Sequence, residues 1–119
     1  MHKILIVDDN VFFRQIVKEV LHARFLSIEI TEVDDGEEAL KVIPTFLPDL
    51  IFMDIRLHGE NGLELTKKVK AQYPEINIVI LTSYDLPEYR DAAYRCKANH
   101  YIPKDSFLGL VNSVLSDEE

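Results

Sequence analysis

Short apolar runs alternate along this chain with longer amphipathic stretches. Continuous or alternating apolar runs, rich in β-branched residues, predict strands at 4–7, 27–33, 50–53, 76–81 and 101–102. Apolar residues at helical spacing predict helices at 11–25, 36–46, 63–73, 87–97 and 106–115. Strand and helix alternate five times, which predicts an α/β fold: a single doubly wound, five-stranded parallel sheet with helices on both faces.

The length and composition of the chain predict a single globular domain. The 119 residues are 47% hydrophobic and 29% charged, as in an ordinary globular chain. We expect them to form one domain over residues 1–119 that needs no disulfide, and the single Cys96 cannot form an intrachain one. No apolar run has the length of a membrane span, and the N-terminus does not resemble a signal peptide, so we expect a cytoplasmic protein.

The charge balance excludes some partners. The formal net charge is −8. Contacts with phosphates need clustered Lys and Arg, so direct nucleic-acid binding is not expected, and neither is docking on an anionic membrane. The Gly-rich loops that cradle nucleotide phosphates are absent from the sequence.

Polar side chains stand where the predicted strands end. These side chains are Asp8, Asp9, Asp54, Thr82 and Lys104. Ligands of open parallel α/β sheets bind at the carboxyl ends of the strands, so we expect these groups to converge. Two carboxylates about 4 Å apart repel by about 4 kcal/mol at an effective dielectric constant near 20, so the acids either share protons or surround a cation. Ligands that are all oxygens favour Mg²⁺ or Mn²⁺ over zinc.

The same groups suit phosphoryl transfer. A carboxylate can act as the nucleophile and form an acyl phosphate. A cation and a lysine ammonium would stabilise charge on the transferring phosphoryl oxygens, and a hydroxyl would hydrogen-bond to the product.

Six motifs, in a fixed order and spacing, give the sequence a family resemblance. They are ILIVDD at 4–9, DGEEAL at 35–40, PDLIFMDI at 48–55, GLEL at 62–65, ILTS at 80–83 and YIPK at 101–104. With this set, the sequence resembles the receiver domain of two-component response regulators over essentially its whole length. The resemblance implies the flavodoxin-like (βα)5 fold of chemotaxis receivers, with strand order 2-1-3-4-5.

The resemblance also implies a role for each acid. Asp54 would accept a phosphoryl group from a sensor histidine kinase or a phosphotransfer protein. Asp9, Asp54 and the backbone carbonyl of Arg56 would bind Mg²⁺ or Mn²⁺ directly, and Asp8 would hold the ion mainly through water. Lys104 would pair with the phosphoryl group.

The resemblance also implies residues that would respond to phosphorylation or set its lifetime. Thr82 would move toward the phosphoryl group and Tyr101 would turn inward with it, although a packing role for Tyr101 stays open. Arg56 and Tyr84 would tune the rate at which water removes the phosphoryl group, and exposed-loop roles for both stay open. The domain would be a signalling switch that acts only on itself, without turnover of another substrate.

Downstream partners follow from the same resemblance. The face formed by 87–97, 101–102 and 106–115 would control an output domain or a downstream protein, and a phosphorylation-dependent homodimer through it stays open. Phe13-Arg14 and the run Ile-Pro-Lys-Asp at 102–105 resemble receivers attached to helix-turn-helix output domains.

Two other functions remain as alternatives. One is a pseudo-receiver, a constitutive docking module not regulated by phosphorylation. The other is a true hydrolase or a nucleotide-binding α/β enzyme. However, the adjacent pair Asp8-Asp9 lacks the Asp-x-Asp spacing of haloacid-dehalogenase-like phosphatases, and two aspartates would repel a flavin phosphate.

Overall fold

The computed structural model of this chain describes residues 2–57 and 59–107. In chain order its elements are β1 (His2–Val7), α1 (Val11–Arg24), β2 (Ile28–Val33), α2 (Gly36–Phe46), β3 (Leu50–Asp54), β4 (Arg56–Leu57), β5 (Glu60–Asn61), α3 (Gly62–Gln72), β6 (Asn77–Thr82), α4 (Pro87–Arg95), β7 (His100–Pro103) and a 3₁₀ turn (Lys104–Ser106). Among the helices described, none has the length and apolar character that crossing a membrane requires.

In the described part of the chain, the main sheet has five parallel strands in the order β2-β1-β3-β6-β7. With β6 and β7 as the fourth and fifth predicted strands, this confirms the predicted order 2-1-3-4-5. Strands β4 and β5 form a separate antiparallel hairpin that was not predicted from the sequence. The predicted helix at 106–115 lies largely outside the described residues.

Two apolar layers cover the sheet, one on each face. Successive residues of a strand point to opposite faces, so each buried strand supplies both layers. The layer under α2, α3 and α4 contains Leu5, Val7, Ile51, Met53, Ile78 and Ile80. The layer under α1 contains Ile4, Ile6, Leu50, Phe52, Val79 and Leu81. This confirms the doubly wound arrangement, in which β3 is buried at every position.

The helix before β7 ends two residues earlier than predicted. Helix α4 ends at Arg95, and Lys97 turns the chain with a left-handed φ of 75°. The turn is closed by backbone hydrogen bonds from the Lys97 N–H to the carbonyl of Tyr94 (3.1 Å) and from the Ala98 N–H to the carbonyl of Ala93 (3.0 Å). A residue with a Cβ is strained in this conformation, whereas glycine adopts it freely.

Lys97→Gly is therefore expected to stabilise the fold. Removing the Cβ relieves the left-handed strain, and after the larger entropy of glycine in the unfolded chain is counted, the free energy of unfolding should rise by about 0.5–1 kcal/mol. Urea denaturation followed by circular dichroism measures the change. Lys97→Ala is the matched control, since it removes the same charge but keeps the Cβ. Equal stability of the two variants would contradict the prediction.

Candidate functional site

The sheet brings the predicted site residues to one edge. Asp8 and Lys104 come directly after β1 and β7, and Asp54 and Thr82 are the last residues of β3 and β6. These four strands are parallel neighbours, so their carboxyl ends meet. The convergence of these side chains, predicted from the sequence, is thus present in the structure.

The three acids form one cluster. A carboxylate oxygen from each of Asp8, Asp9 and Asp54 lies within 4.8 Å of the others. Asp8 is 2% exposed and Asp54 6% exposed, while Asp9 lies at the surface. Burying two like charges is unfavourable unless cations compensate them.

Lys104 compensates part of this charge. Its Nζ lies 2.8 Å from Asp8 Oδ2 and 3.5 Å from Asp54 Oδ2. The same ammonium lies 4.6 Å from the centre of the Phe13 ring on α1. Lys104 is thus held between two carboxylates and an aromatic face, and the Phe13 contact was not predicted from the sequence.

Together, the surroundings of Asp54 disfavour its ionised form. Burial is the largest cause and the negative charge of Asp8 the next, and together they raise the pKa of Asp54 from 3.8 to about 6 although Lys104 opposes them. Each tenfold change in proton affinity corresponds to about 1.4 kcal/mol. A positive charge placed beside Asp54 would therefore stabilise its ionised form.

Asp8 is held by the first turns of α1. Its Oδ1 accepts a hydrogen bond from the Asn10 N–H (2.9 Å), and its backbone carbonyl accepts one from Arg14 Nη1 (2.6 Å). Arg14 Nε also donates to Glu32 on β2 (2.9 Å), and Lys18 lies 2.9 Å from the same carboxylate. The hydrogen bond from Lys18 is the largest cause of the lowered pKa of Glu32. The contact between Arg14 and the site was not predicted from the sequence.

Asp54 is packed against the start of α3. The β4–β5 hairpin returns the chain so that Gly62, the first residue of α3, donates its N–H to the carbonyl of Ile55 (2.7 Å). A Cβ on Gly62 would lie 1.9 Å from the backbone oxygen of Asp54. Only glycine permits this approach, which fixes the backbone of Asp54 against the helix.

Thr82 and Tyr101 contact the same backbone group. The hydroxyl of Thr82 accepts a hydrogen bond from the Tyr84 N–H (2.9 Å) and lies 3.4 Å from the Tyr84 carbonyl. The hydroxyl of Tyr101 donates to that carbonyl (3.3 Å). Tyr101 is 4% exposed, and burial raises its pKa. The two predicted switch residues thus meet at the loop that follows β6.

Arg56 and Tyr84 contact each other at the rim of the site. The guanidinium carbon of Arg56 lies 3.8 Å from the centre of the Tyr84 ring. Arg56 Nη2 also donates to the hydroxyl of Tyr89 on α4 (3.1 Å). Arg56 and Tyr84 were named from the sequence but Tyr89 was not, because the contact joins residues 33 positions apart.

The acidic cluster fits a hard divalent cation. Its donors are all carboxylate oxygens, which Mg²⁺ and Mn²⁺ accept, and their spacing lets one partly hydrated ion contact several of them. Asp8, Asp9 and Asp54 are the side chains that could hold such an ion.

Comparisons with known proteins agree with this geometry. The family model described as "Response regulator receiver domain" matches residues 4–113. The transcriptional regulatory protein DegU of Brevibacillus brevis is 30% identical over 103 residues, which cover 87% of this chain and 44% of DegU. The chemotaxis protein CheY of Halobacterium salinarum is 30% identical over 115 residues, which cover 97% of this chain and 94% of CheY.

A solved structure extends the comparison to the fold. The Mn(2+)-bound form of the response regulator Rcp1 superposes with a TM-score of 0.79 and 25% identity, covering 87% of this chain and 81% of Rcp1. This chain spans less than half the length of DegU but nearly all of CheY. It belongs to the family of response regulator receiver domains.

Proposed function

We propose that this domain accepts a phosphoryl group on Asp54 from a sensor histidine kinase or from the histidine of a phosphotransfer protein. The observation that carries the proposal is the position of Lys104, whose ammonium contacts both Asp8 and Asp54 inside a cluster of three acids. In this arrangement the Asp54 carboxylate is available as a nucleophile beside the positive charge of Lys104.

The transfer would proceed as a displacement at phosphorus. An oxygen of Asp54 attacks the phosphorus, the new O–P bond forms as the N–P bond to the donor imidazole breaks, and the imidazole takes up a proton as it leaves. Lys104 would stabilise the added charge on the phosphoryl oxygens. Hydrolysis of the acyl phosphate by water would return the Asp54 carboxylate and release inorganic phosphate.

A divalent cation, Mg²⁺ or Mn²⁺, belongs to the proposal. Asp9, Asp54 and the backbone carbonyl of Arg56 would hold it, with Asp8 acting mainly through water. The ion would supply positive charge that stabilises the transferring phosphoryl oxygens. The acidic cluster of this chain and the Mn(2+)-bound structure of the related Rcp1 support this assignment.

Phosphorylation would be read out through the loop after β6. Thr82 would exchange its contacts with Tyr84 for a hydrogen bond to the phosphoryl group, and the Tyr101 hydroxyl would respond because it contacts the same carbonyl. The affected face, formed by α4, β7 and the predicted helix at 106–115, would control an output domain or a downstream protein, or pair in a homodimer. Any DNA contact would then belong to such a partner, as the naming of DegU as a transcriptional regulator suggests.

Chemical phosphorylation tests the proposal. Incubation with acetyl phosphate and Mg²⁺ should add one phosphoryl group, located on Asp54 by mass spectrometry, and beryllofluoride should bind in its place. Asp91→Asn, a change at an exposed aspartate of α4, is the control that should leave modification intact. Bound Mg²⁺ without modification of Asp54 would instead support the constitutive docking module.

The rim residues are expected to set the lifetime of the acyl phosphate. Arg56→Ala and Tyr84→Ala each remove the stack that joins the loops after β3 and β6. A cation–π contact at an exposed site is weak, so we expect a modest effect, with each variant losing phosphate about two to five times faster. Tyr94→Ala, at an exposed position of α4, is the control. Unchanged lifetimes in both rim variants would refute this prediction.

A further inference from the structure

The start of α4 is tied to the rim of the site by two side chains. The hydroxyl of Tyr89 accepts the hydrogen bond from Arg56 (3.1 Å). The next residue, Arg90, lies over the ring of Tyr101 at 4.6 Å and 3.7 Å from the Asp85 carboxylate. The first turn of the helix is closed by backbone hydrogen bonds from the N–H groups of Tyr89 (3.0 Å) and Arg90 (3.1 Å) to the carbonyl of Leu86.

Tyr89 is placed to act as a rigid support. Its side chain is half-buried, and its ring packs against the apolar layer under α4, so its hydroxyl is fixed relative to that helix. Arg56, by contrast, is exposed and has a long side chain with many rotamers. Its guanidinium carbon lies 3.8 Å from the centre of the Tyr84 ring, and the hydrogen bond from Nη2 to Tyr89 on α4 adds a contact with a second element, which restricts its orientation further.

We propose that Tyr89 is a positioning residue for dephosphorylation: its hydroxyl holds the Arg56 guanidinium on Tyr84, across the two loops that flank Asp54, and so limits the access of water to the phosphorylated side chain. Those loops leave neighbouring strands, since Asp54 pairs with Leu81 in the sheet. The inference rests on the proposed function.

Coupling between α4 and the lifetime follows from this arrangement. A partner that binds α4 and draws Tyr89 away would release Arg56 and speed the loss of phosphate. A partner that holds Tyr89 in place would prolong the phosphorylated state. Because binding couplings are reciprocal, the orientation of Arg56 would in turn change the affinity of α4 for that partner.

Tyr89→Phe isolates the hydroxyl, since it keeps the packed ring. We expect its acyl phosphate, formed with acetyl phosphate and Mg²⁺, to disappear about three times faster than that of the unmodified sequence, which corresponds to roughly 0.6 kcal/mol. In an Arg56→Ala background, Tyr89→Phe should cause no further change. Tyr94→Phe, at the exposed tyrosine on the same helix, should have no effect. An unchanged lifetime in Tyr89→Phe, or equal acceleration with and without Arg56, would overturn the inference.

A second measurement does not need phosphorylation. NMR relaxation of the Arg56 Nε–H group in the unphosphorylated chain should show greater mobility in Tyr89→Phe than in Tyr94→Phe. Equal mobility would overturn the positioning role of Tyr89 whatever the phosphorylation result. Failure of the proposed function would be visible separately, as the absence of modification on the unsubstituted chain.

Discussion

Asp54→Asn is expected to abolish formation of the acyl phosphate and, in EDTA at pH 7.5, to raise the free energy of unfolding by roughly 2–3 kcal/mol. The gain arises because Asp54 is ionised in a buried position beside Asp8, which raises its pKa to about 6. Asparagine has nearly the same shape and carries no charge. Lys104 should keep its contact with Asp8, which is 2.8 Å in the unsubstituted chain.

The stability difference between Asp54→Asn and the unsubstituted chain should depend on pH in a defined direction. The folded-state pKa of Asp54 is raised above its ordinary value of 3.8, so the native state holds this proton more tightly than the unfolded chain does. The contribution of Asp54 to the free energy of unfolding of the unsubstituted protein should therefore fall as the pH rises from about 4 to about 6. The advantage of Asp54→Asn should be absent below about pH 4 and complete above about pH 7.

Urea denaturation at pH 3.5, 5 and 7.5, followed by circular dichroism, measures the free energy of unfolding of the unsubstituted chain and of Asp54→Asn. Asp91→Asn removes an exposed carboxylate and is expected to leave stability nearly unchanged at each pH. Saturating Mg²⁺ should narrow the gap at pH 7.5, because the ion would bind the three acids of the unsubstituted chain. A variant that is less stable than the unsubstituted chain in EDTA at pH 7.5 would contradict the electrostatic account.

Gly62→Ala is expected to destabilise the fold by about 3 kcal/mol or more and to impair phosphorylation of Asp54. The added Cβ would lie 1.9 Å from the Asp54 carbonyl oxygen and 3.0 Å from the Ile55 Cα. Both are backbone atoms, so relief requires β3 and α3 to separate. That movement would shift the Asp54 side chain relative to Lys104.

Gly36→Ala is the matched control for this prediction. Gly36 also begins a helix and is also buried, but the three atoms nearest to its added Cβ all belong to the flexible side chain of Glu60. Rotation of that side chain removes the overlap, so we expect a change of less than about 1 kcal/mol. Thermal and urea unfolding of both variants measure the difference. Similar losses of stability in Gly36→Ala and Gly62→Ala would contradict overlap with the Asp54 backbone as the cause.

The main sheet and the acidic pocket could be predicted because they depend on local rules. Apolar runs define buried strands, and residues that follow parallel strands converge whatever the side-chain rotamers are. Asp8, Asp54, Thr82 and Lys104 were placed together on that basis alone. The roles given to them remain proposals.

The contacts that surround the pocket could not be predicted in this way. The ring of Phe13 under Lys104 and the guanidinium of Arg14 on the Asp8 carbonyl depend on how α1 is rotated against the sheet. The bond from Arg56 to Tyr89 depends on side-chain rotamers. The β4–β5 hairpin has only two residues in each strand, which is too short to leave a periodic signal.

The order of the strands also bears on how the chain folds. Strand β1 joins β3 across a separation of 46 residues, from Ile4 to Leu50, whereas β7 joins β6 across 21, from Val79 to His100. Closing the longer loop costs about 0.7 kcal/mol more entropy. Strand β6 joins β3 across 27 residues, from Leu50 to Asn77, so each of the two closures that bring Lys104 beside Asp54 spans fewer residues than the one that brings Asp8. We therefore expect Lys104 to reach Asp54 before β1 delivers Asp8. In this order the positive charge is already in place when the second buried carboxylate arrives, so the repulsion between the acids opposes only the docking of β1.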